Sequence, residues 1–401
     1  MENTVKMSVH QKTVDFVRTI YGSSFIPLHR PVFEGNEKQY LIDCIDSNFV
    51  SSVGAKVTEF EQQIAAFTGA KYAVATVNGT AALHVALQLV GVQHGDEVIT
   101  QALTFIATCN ALNYTGGYPV FVDVDLDTLG LSPVALRKFL EQHAELRGGH
   151  AFNKTTGRRL AACVPMHTFG LPCRIAEIVA VCDEYGITVV EDAAESLGSY
   201  VGKRHTGIFG KLATLSFNGN KVITTGGGGM IITNDEAIAK HAKHLTTTAK
   251  VPHPFEFVHD EVGYNYRLPN LNAALGCAQM ERLPQFLAVK ADVARRYAEF
   301  FASLGITFMR APAGTTSNYW LNAIVLDSVQ ERDAFLENTN SRGVMTRPIW
   351  RLMNRLSMFS HCQHDGLANS LWLEERVVNI PSSVPDGALS LFNVDQAAAI
   401  K

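Results

Sequence analysis

Lys221 stands between an apolar run, Leu212 to Phe217, and four consecutive glycines, Gly226 to Gly229. Hydroxyl and amide side chains surround it in sequence: Ser216, Asn218, Asn220, Thr224 and Thr225. Glycine lets a backbone turn sharply or approach a ligand closely, because no Cβ blocks positive φ. A lone lysine in such a stretch reads first as a surface residue in a loop before a hairpin. Its amine can also do covalent chemistry by condensing with a carbonyl carbon. An unperturbed lysine has a pKa of about 10.4, so on the order of one in a thousand or fewer is a free amine at neutral pH. Covalent chemistry therefore calls for apolar or cationic surroundings that lower this value.

Two further stretches could serve such a lysine. Asn78-Gly-Thr-Ala-Ala82 follows the apolar segment Tyr72 to Thr76 and opens a helical one. Free N–H groups and the dipole at a helix start make such a turn an anion site, although Asn and Thr are also ordinary N-caps. The run Ile187 to Val190 leads straight into Glu191-Asp192-Ala-Ala-Glu195. A carboxylate at a strand's carboxyl end is costly to bury without a cationic partner. The plain alternative is Asp192 with Glu195 in the first turn of a helix. Three acids make a metal conceivable, but no His stands at ligand spacing, so no metal centre is expected. Phe105 lies at a strand-to-helix corner, a core position unless a converging site recruits its ring. A glycine-flanked lysine, an Asp at a strand end and an anion turn together point to pyridoxal 5′-phosphate. The lysine bonds the cofactor's aldehyde, the Asp keeps its ring nitrogen protonated, and the turn holds its phosphate.

The elements that must position these residues alternate. Strands are expected at Tyr72 to Thr76, Glu97 to Thr100, Pro119 to Val124, Ala161 to Met166 and Ile187 to Glu191. Helices are expected at Glu37 to Asn48, Val57 to Phe67, Thr80 to Val90, Phe105 to Leu112, Ser132 to His143 and Ile175 to Tyr185. Such alternation predicts an α/β fold with a largely parallel sheet covered on both faces, and ligands beyond the strands' carboxyl ends. Further helices are expected at Glu236 to Leu245, Leu271 to Leu283 and Phe286 to Leu304. A smaller α+β unit follows (strands Ile306 to Met309 and Trp320 to Leu326, helix Glu331 to Asn338), then a polar turn, Ser382 to Asp386, before a last helical stretch. The division expected is a large domain, 26–285, a small C-terminal domain, 286–401, and an N-terminal extension, 1–25.

Of 401 residues, 47% are hydrophobic and 18% charged, enough for a large core and against wholesale disorder. A formal net charge of -4 argues against nucleic acid or an anionic membrane as the main partner. No apolar run is long enough for a spanning helix, and Met1 to Tyr21 lacks the apolar stretch of a signal peptide. The seven cysteines are scattered without a CxxC pair, as in a cytoplasmic protein with reduced thiols.

Five stretches in this order resemble the sugar aminotransferases of the DegT/DnrJ/EryC1/StrS family, which have the aspartate-aminotransferase (type I) fold. They are Asn78-Gly-Thr-Ala-Ala-Leu, Gly95-Asp-Glu-Val-Ile-Thr, Glu191-Asp-Ala-Ala-Glu-Ser, Ser216-Phe-Asn-Gly-Asn-Lys with Thr225-Gly-Gly-Gly-Gly, and Gly263-Tyr-Asn-Tyr-Arg-Leu-Pro-Asn. The resemblance spans Ile26 to Pro381. It implies that Lys221 bonds the cofactor and shuttles the proton, Asp192 pairs with the pyridinium nitrogen, and Phe105 stacks on the ring. It further implies that Thr80, the Ala81 main chain and Ser216 hold the phosphate, and that Asn265 serves the neighbouring subunit's site in a homodimer. Glu195 stands where the family more often has Gln or His, and must be protonated to donate to the cofactor's phenolic oxygen.

Asn218-Gly-Asn, Asn318-Tyr-Trp-Leu-Asn322 and Thr346-Arg-Pro-Ile-Trp350 look most like the legionaminic-acid (LegC-type) branch. That branch aminates C4 of a nucleotide-linked 4-keto-6-deoxy-N-acetylhexosamine with L-glutamate as donor. Rival expectations are a PLP-dependent sugar dehydratase, which has histidine in place of the lysine, and a non-catalytic regulator on the same fold. A dinucleotide enzyme is disfavoured, because the glycine run does not lead from a strand into a helix as GxGxxG.

Overall fold

Seven strands form the central sheet, in the order Tyr72–Thr76, Gly229–Thr233, Leu212–Ser216, Thr188–Asp192, Leu160–Val164, Glu97–Gln101, Tyr118–Val122. The computed structural model describes residues 8–391. From Leu212–Ser216 to Tyr118–Val122 every pairing is parallel, while Gly229–Thr233 runs antiparallel to both neighbours. Helices Gly79–Leu89, Ile106–Tyr114, Pro133–His143 and Ile175–Glu184 connect the parallel strands, close to the segments that periodicity predicts. The strands are mostly apolar and buried because helices cover both faces. Along Gly229–Thr233, for instance, Met230 and Ile232 join one core and Ile231 the opposite one, as the two-residue alternation of a strand requires.

The sequence pattern did not predict Gly229–Thr233 as a strand, nor the hairpin Ala144–Arg147 with His150–Asn153. Glycine carries no β propensity, so a five-residue strand opening on the end of a glycine run is weakly signalled. The glycines themselves are required by two kinds of constraint. Gly226 adopts φ 79° at the turn. Gly229 lies against the Asn78–Gly79 backbone, where an added Cβ would fall 2.6 Å from the Gly79 nitrogen.

The two helices expected at Leu271 to Leu283 and Phe286 to Leu304 are one, Asn270–Ser303, which also runs through residue 285. Pro284 removes one N–H from the helical ladder. Leu283 and Phe286 on either side of it are buried in the main core, and that packing carries the helix across. Beyond it an antiparallel sheet forms in the order Thr307–Phe308, Asn322–Val325, Val377–Ile380, Arg347–Pro348. Helix Val9–Tyr21 lies over this region, with Phe16 stacked on Phe300 at 4.0 Å between ring centroids. The last helical stretch expected after Asp386 lies largely outside the described residues, and only the turn Ala388–Leu391 falls within them.

Phe217 follows the strand Leu212–Ser216 and is wholly buried, edge-to-face with Phe60 at 4.9 Å. Its N–H donates to Gly228 O at 2.9 Å and its carbonyl accepts from Thr225 N at 3.0 Å, which closes the loop that carries Lys221. Phe217→Ala is expected to cost about 3–5 kcal/mol, measured as a lowered unfolding midpoint of the full chain.

Candidate active site

A cavity of about 650 Å³ opens at the carboxyl ends of the parallel strands, where open α/β sheets bind ligands. Thr80, Phe105, Asp192, Glu195, Ser216 and Lys221 all line it. Asp192 and Ser216 are the last residues of their strands, so the sheet itself sets their depth.

Lys221 lies on a tight turn, its N–H donating to Asn218 O at 3.0 Å. Its Nζ is 3.2 Å from Glu195 Oε1 and 3.7 Å from the centre of the Trp320 ring. The indole is itself fixed, its Nε1 donating to Asn220 O at 2.6 Å. The surroundings thus differ from the apolar or cationic ones that lysine chemistry alone calls for: the nearest charge is a carboxylate. Burial pushes the Glu195 carboxyl up to about 7, with the Lys221 ammonium and the Phe169 N–H pulling the other way.

Asp192 is buried, and its two oxygens accept from Thr108 Oγ1 at 2.8 Å and Ala194 N at 3.2 Å. Burial raises its pKa, and these hydrogen bonds oppose the rise. The adjacent Glu191 points elsewhere. It accepts from Gly207, Phe209 and Gly210 N–H at 2.7, 2.6 and 2.7 Å, and pairs with His167 Nε2 at 3.0 Å. His167 Nδ1 accepts from Cys173 N–H at 3.2 Å, which leaves Nε2 to donate to Glu191. Glu191 therefore anchors the turn before the next strand. The helical first turn considered for Asp192 and Glu195 does not form, because residues 193–199 run as consecutive turns. The three acids diverge instead of meeting.

Also on the cavity wall, helix Gly79–Leu89 begins directly beside Ser216. A Cβ at Gly79 would fall 3.0 Å from the Ser216 Cβ and 3.3 Å from its Oγ, so glycine is what lets the two come together. The first-turn N–H groups have no helical carbonyl to bond. The Ala81 N–H is engaged by the capping side chain, Asn78 Oδ1, at 2.7 Å, and Ala81 does not line the cavity. The structure therefore differs from the expectation for the Ala81 main chain while bringing Thr80 and Ser216 to one end. Phe105 is half-exposed at the cavity wall instead of buried in the core, 6.2 Å from Trp350. Asn265 is exposed and lies outside this chain's own cavity, its Oδ1 3.3 Å from Arg267 Nη2.

Sequence reasoning did not single out Thr108, or Trp320 as the ring over Lys221. Thr108 belongs to a buried hydroxyl chain, 2.9 Å from Thr104 Oγ1, for which a helical pattern has no signal. Trp320 reaches the lysine from a distant loop. Asn318 is buried and structural, its Nδ2 donating to the carbonyls of Glu195 and Leu197 at 2.8 and 2.9 Å. Arg347 to Arg351, by contrast, line the cavity mouth.

Residues 31–386 match the model of the DegT/DnrJ/EryC1/StrS aminotransferase family. The chain is 37% identical to EpsN of Bacillus subtilis (strain 168) over 335 residues, 83% of this chain and 84% of EpsN. It is 35% identical to the GDP-perosamine synthase of Vibrio cholerae over 362 residues, 89% of this chain and 94% of that enzyme. It superposes on the crystal structure of DesI, solved in the presence of its TDP-sugar product, with a TM-score of 0.79 and 25% identity, covering 96% of this chain and 94% of DesI. The architecture is that of the type I PLP-dependent aminotransferases. The chain belongs to the DegT/DnrJ/EryC1/StrS family and is a pyridoxal 5′-phosphate-dependent sugar aminotransferase.

Proposed function

We propose that the enzyme transfers the amine of L-glutamate to C4 of a nucleotide-linked 4-keto-6-deoxy-N-acetylhexosamine, in a legionaminic-acid type of surface-glycan pathway in the cytoplasm. The observation that carries the site assignment is the meeting of Thr80, Asp192 and Ser216 with Lys221 around one cavity from three separate stretches of chain. Their chemistry fits pyridoxal 5′-phosphate, and the cradle that a Gly79 Cβ would fill fits its phosphate. When bound, the cofactor supplies an electron sink. Lys221 Nζ would bond to it and, once released, would take and return the proton at the carbon being aminated. The Asp192 carboxylate would pair with the ring nitrogen, and Phe105 would pack against the ring. Thr80, Ser216 and the first-turn N–H groups of helix Gly79–Leu89 would hold the phosphate. Ala81 would join them only by giving up Asn78.

The branch assignment draws on Asn218-Gly-Asn220, Asn318 to Asn322 and Thr346 to Trp350, and each of these stretches contributes residues to the cavity lining. The guanidiniums of Arg347 and Arg351 suit a diphosphate. GDP-perosamine synthase as a relative and DesI with its TDP-sugar support a nucleotide-linked substrate. A homodimer is supported by Asn265 lying outside its own cavity and by the exposed apolar side chains Ile42, Ile45, Phe49 and Val53 on and after helix Glu37–Asp46, an area that calls for a partner surface. A cytoplasmic site accords with seven free cysteines. Among the described residues no helix is long and apolar enough to cross a membrane.

Loaded enzyme is expected to show the visible band of lysine-bound cofactor and to lose it in Lys221→Ala. Incubated with glutamate and a panel of UDP- and GDP-linked 4-keto sugars, it should yield a 4-amino sugar by mass spectrometry. A 3-deoxy product without amine would assign the dehydratase activity instead. Light scattering should report a dimer, and a fully active monomer would remove the shared site.

The raised pKa of Asp192 sets an acid limit. Its carboxylate is ionised above that pKa and lost as pH falls through it, taking the ring-nitrogen contact with it. Thr108→Val deletes a bond that stabilises the carboxylate, so the variant should release cofactor at a higher pH than wild type in a dialysis titration.

A further inference from the structure

Glu195 is held with more care than a generic wall residue needs. It is buried, and its Oε2 accepts from the Phe169 N–H at 2.8 Å. Phe169 presents that N–H from a left-handed conformation, φ 57°, which is strained for a residue with a Cβ. Gly170 follows at φ 90°, where a side chain would collide with Asn318 Oδ1. Asn318 in turn ties down the carbonyl of Glu195 at 2.8 Å. With one oxygen and the backbone fixed, the other oxygen, Oε1, is aimed at Lys221 Nζ, 3.2 Å away. The Trp320 ring covers the ammonium at 3.7 Å. The charged groups bearing on Glu195 are Lys221, from the turn after Leu212–Ser216, and Asp192, a like charge from the end of Thr188–Asp192.

Given Lys221 as the cofactor lysine, we propose that Glu195 and Lys221 share one proton, which sits on Nζ in the cofactor-free protein and on Glu195 Oε1 once the lysine nitrogen has bonded carbon. An ammonium has no electron pair with which to attack a carbonyl. In the step proposed, an Nζ–H bond breaks and an Oε1–H bond forms. The electron pair stays on nitrogen, where it can bond carbon, and ammonium plus carboxylate become amine plus carboxylic acid with no change in total charge. When the lysine is released during turnover the proton stays on Glu195 Oε1, so Nζ keeps the electron pair with which it takes a proton from carbon. The driving force is electrostatic. While Lys221 is a cation, the Glu195 carboxylate has its counter-charge. Once the lysine nitrogen is consumed, a buried carboxylate beside Asp192 has none and takes up the proton. The upward push on Glu195 by burial, present even opposite Lys221, acts in the same direction. A protonated Glu195 is also a hydrogen-bond donor, as glutamine is. An acid can therefore occupy this position without losing the donor toward the cofactor, and it gains a proton store.

Two readouts other than turnover test this. In the full-length chain freed of cofactor, the rate of acetic anhydride labelling at Lys221, followed by peptide mass spectrometry, reports the free amine. Glu195→Gln removes the carboxylate that holds the ammonium and keeps an acceptor for the Phe169 N–H. It should raise the labelling rate at pH 7 about tenfold or more. In wild-type protein, loading with pyridoxal 5′-phosphate should add the infrared C=O stretch of a protonated carboxyl group, absent from Glu195→Gln. An unchanged labelling rate, or no carboxyl band on loading, overturns the proposal. Lys221→Ala separates the two levels. A lysine-bound visible band that survives in that variant removes Lys221 as the cofactor lysine. Loss of that band together with unchanged labelling in Glu195→Gln removes only the shared proton.

Discussion

The site depends on a close backbone approach at the start of the strand Gly229–Thr233. That strand runs between Tyr72–Thr76 and Leu212–Ser216 and pairs antiparallel with both. Its first residue touches the Asn78–Gly79 turn closely enough to exclude any side chain. One contact therefore places the start of helix Gly79–Leu89 beside Ser216 and sets where the intervening loop, with Lys221, must project. The loop is closed by main-chain bonds from Phe217 to Gly228 and Thr225, and Phe217 itself is packed into the main core. The run of glycines is thus the condition for the anion cradle and the lysine to face the same space.

Charge placement follows from the same sheet. Glu191 and Asp192 are adjacent in a strand, so their side chains leave on opposite faces. One goes to His167 and three backbone N–H groups, and the other goes to Thr108 and the cavity. Two adjacent carboxylates thus become an anchor and a site residue. Glu195 returns to the cavity only because the chain turns after Asp192, and it arrives opposite Lys221 instead of on a helix with Asp192.

The small sheet contributes the far wall. Trp320 and the segment Arg347 to Arg351, which line the cavity, come from after the long helix Asn270–Ser303. The continuity of that helix through Pro284 fixes how this part of the chain leaves the large sheet. Apolar packing on either side of the proline outweighs the missing hydrogen bond, which local propensity alone does not weigh.

Sequence by itself determined the alternating strands and helices, the covered parallel sheet, the family, and the identity of Lys221, Asp192, Phe105, Thr80 and Ser216 as candidates. These are legible because they rest on local periodicity and on short motifs in order. Tertiary structure decided the rest. It ended the cap reading of Asp192 and Glu195, put Phe105 at the cavity wall, engaged the Ala81 N–H with Asn78, and left Asn265 outside its own cavity. It also brought Thr108 to Asp192 and Trp320 and Glu195 to Lys221. The reason is physical. A side chain's type is written in the chain, but its burial, its hydrogen-bond partner and the charge opposite it exist only once distant strands and loops have packed together.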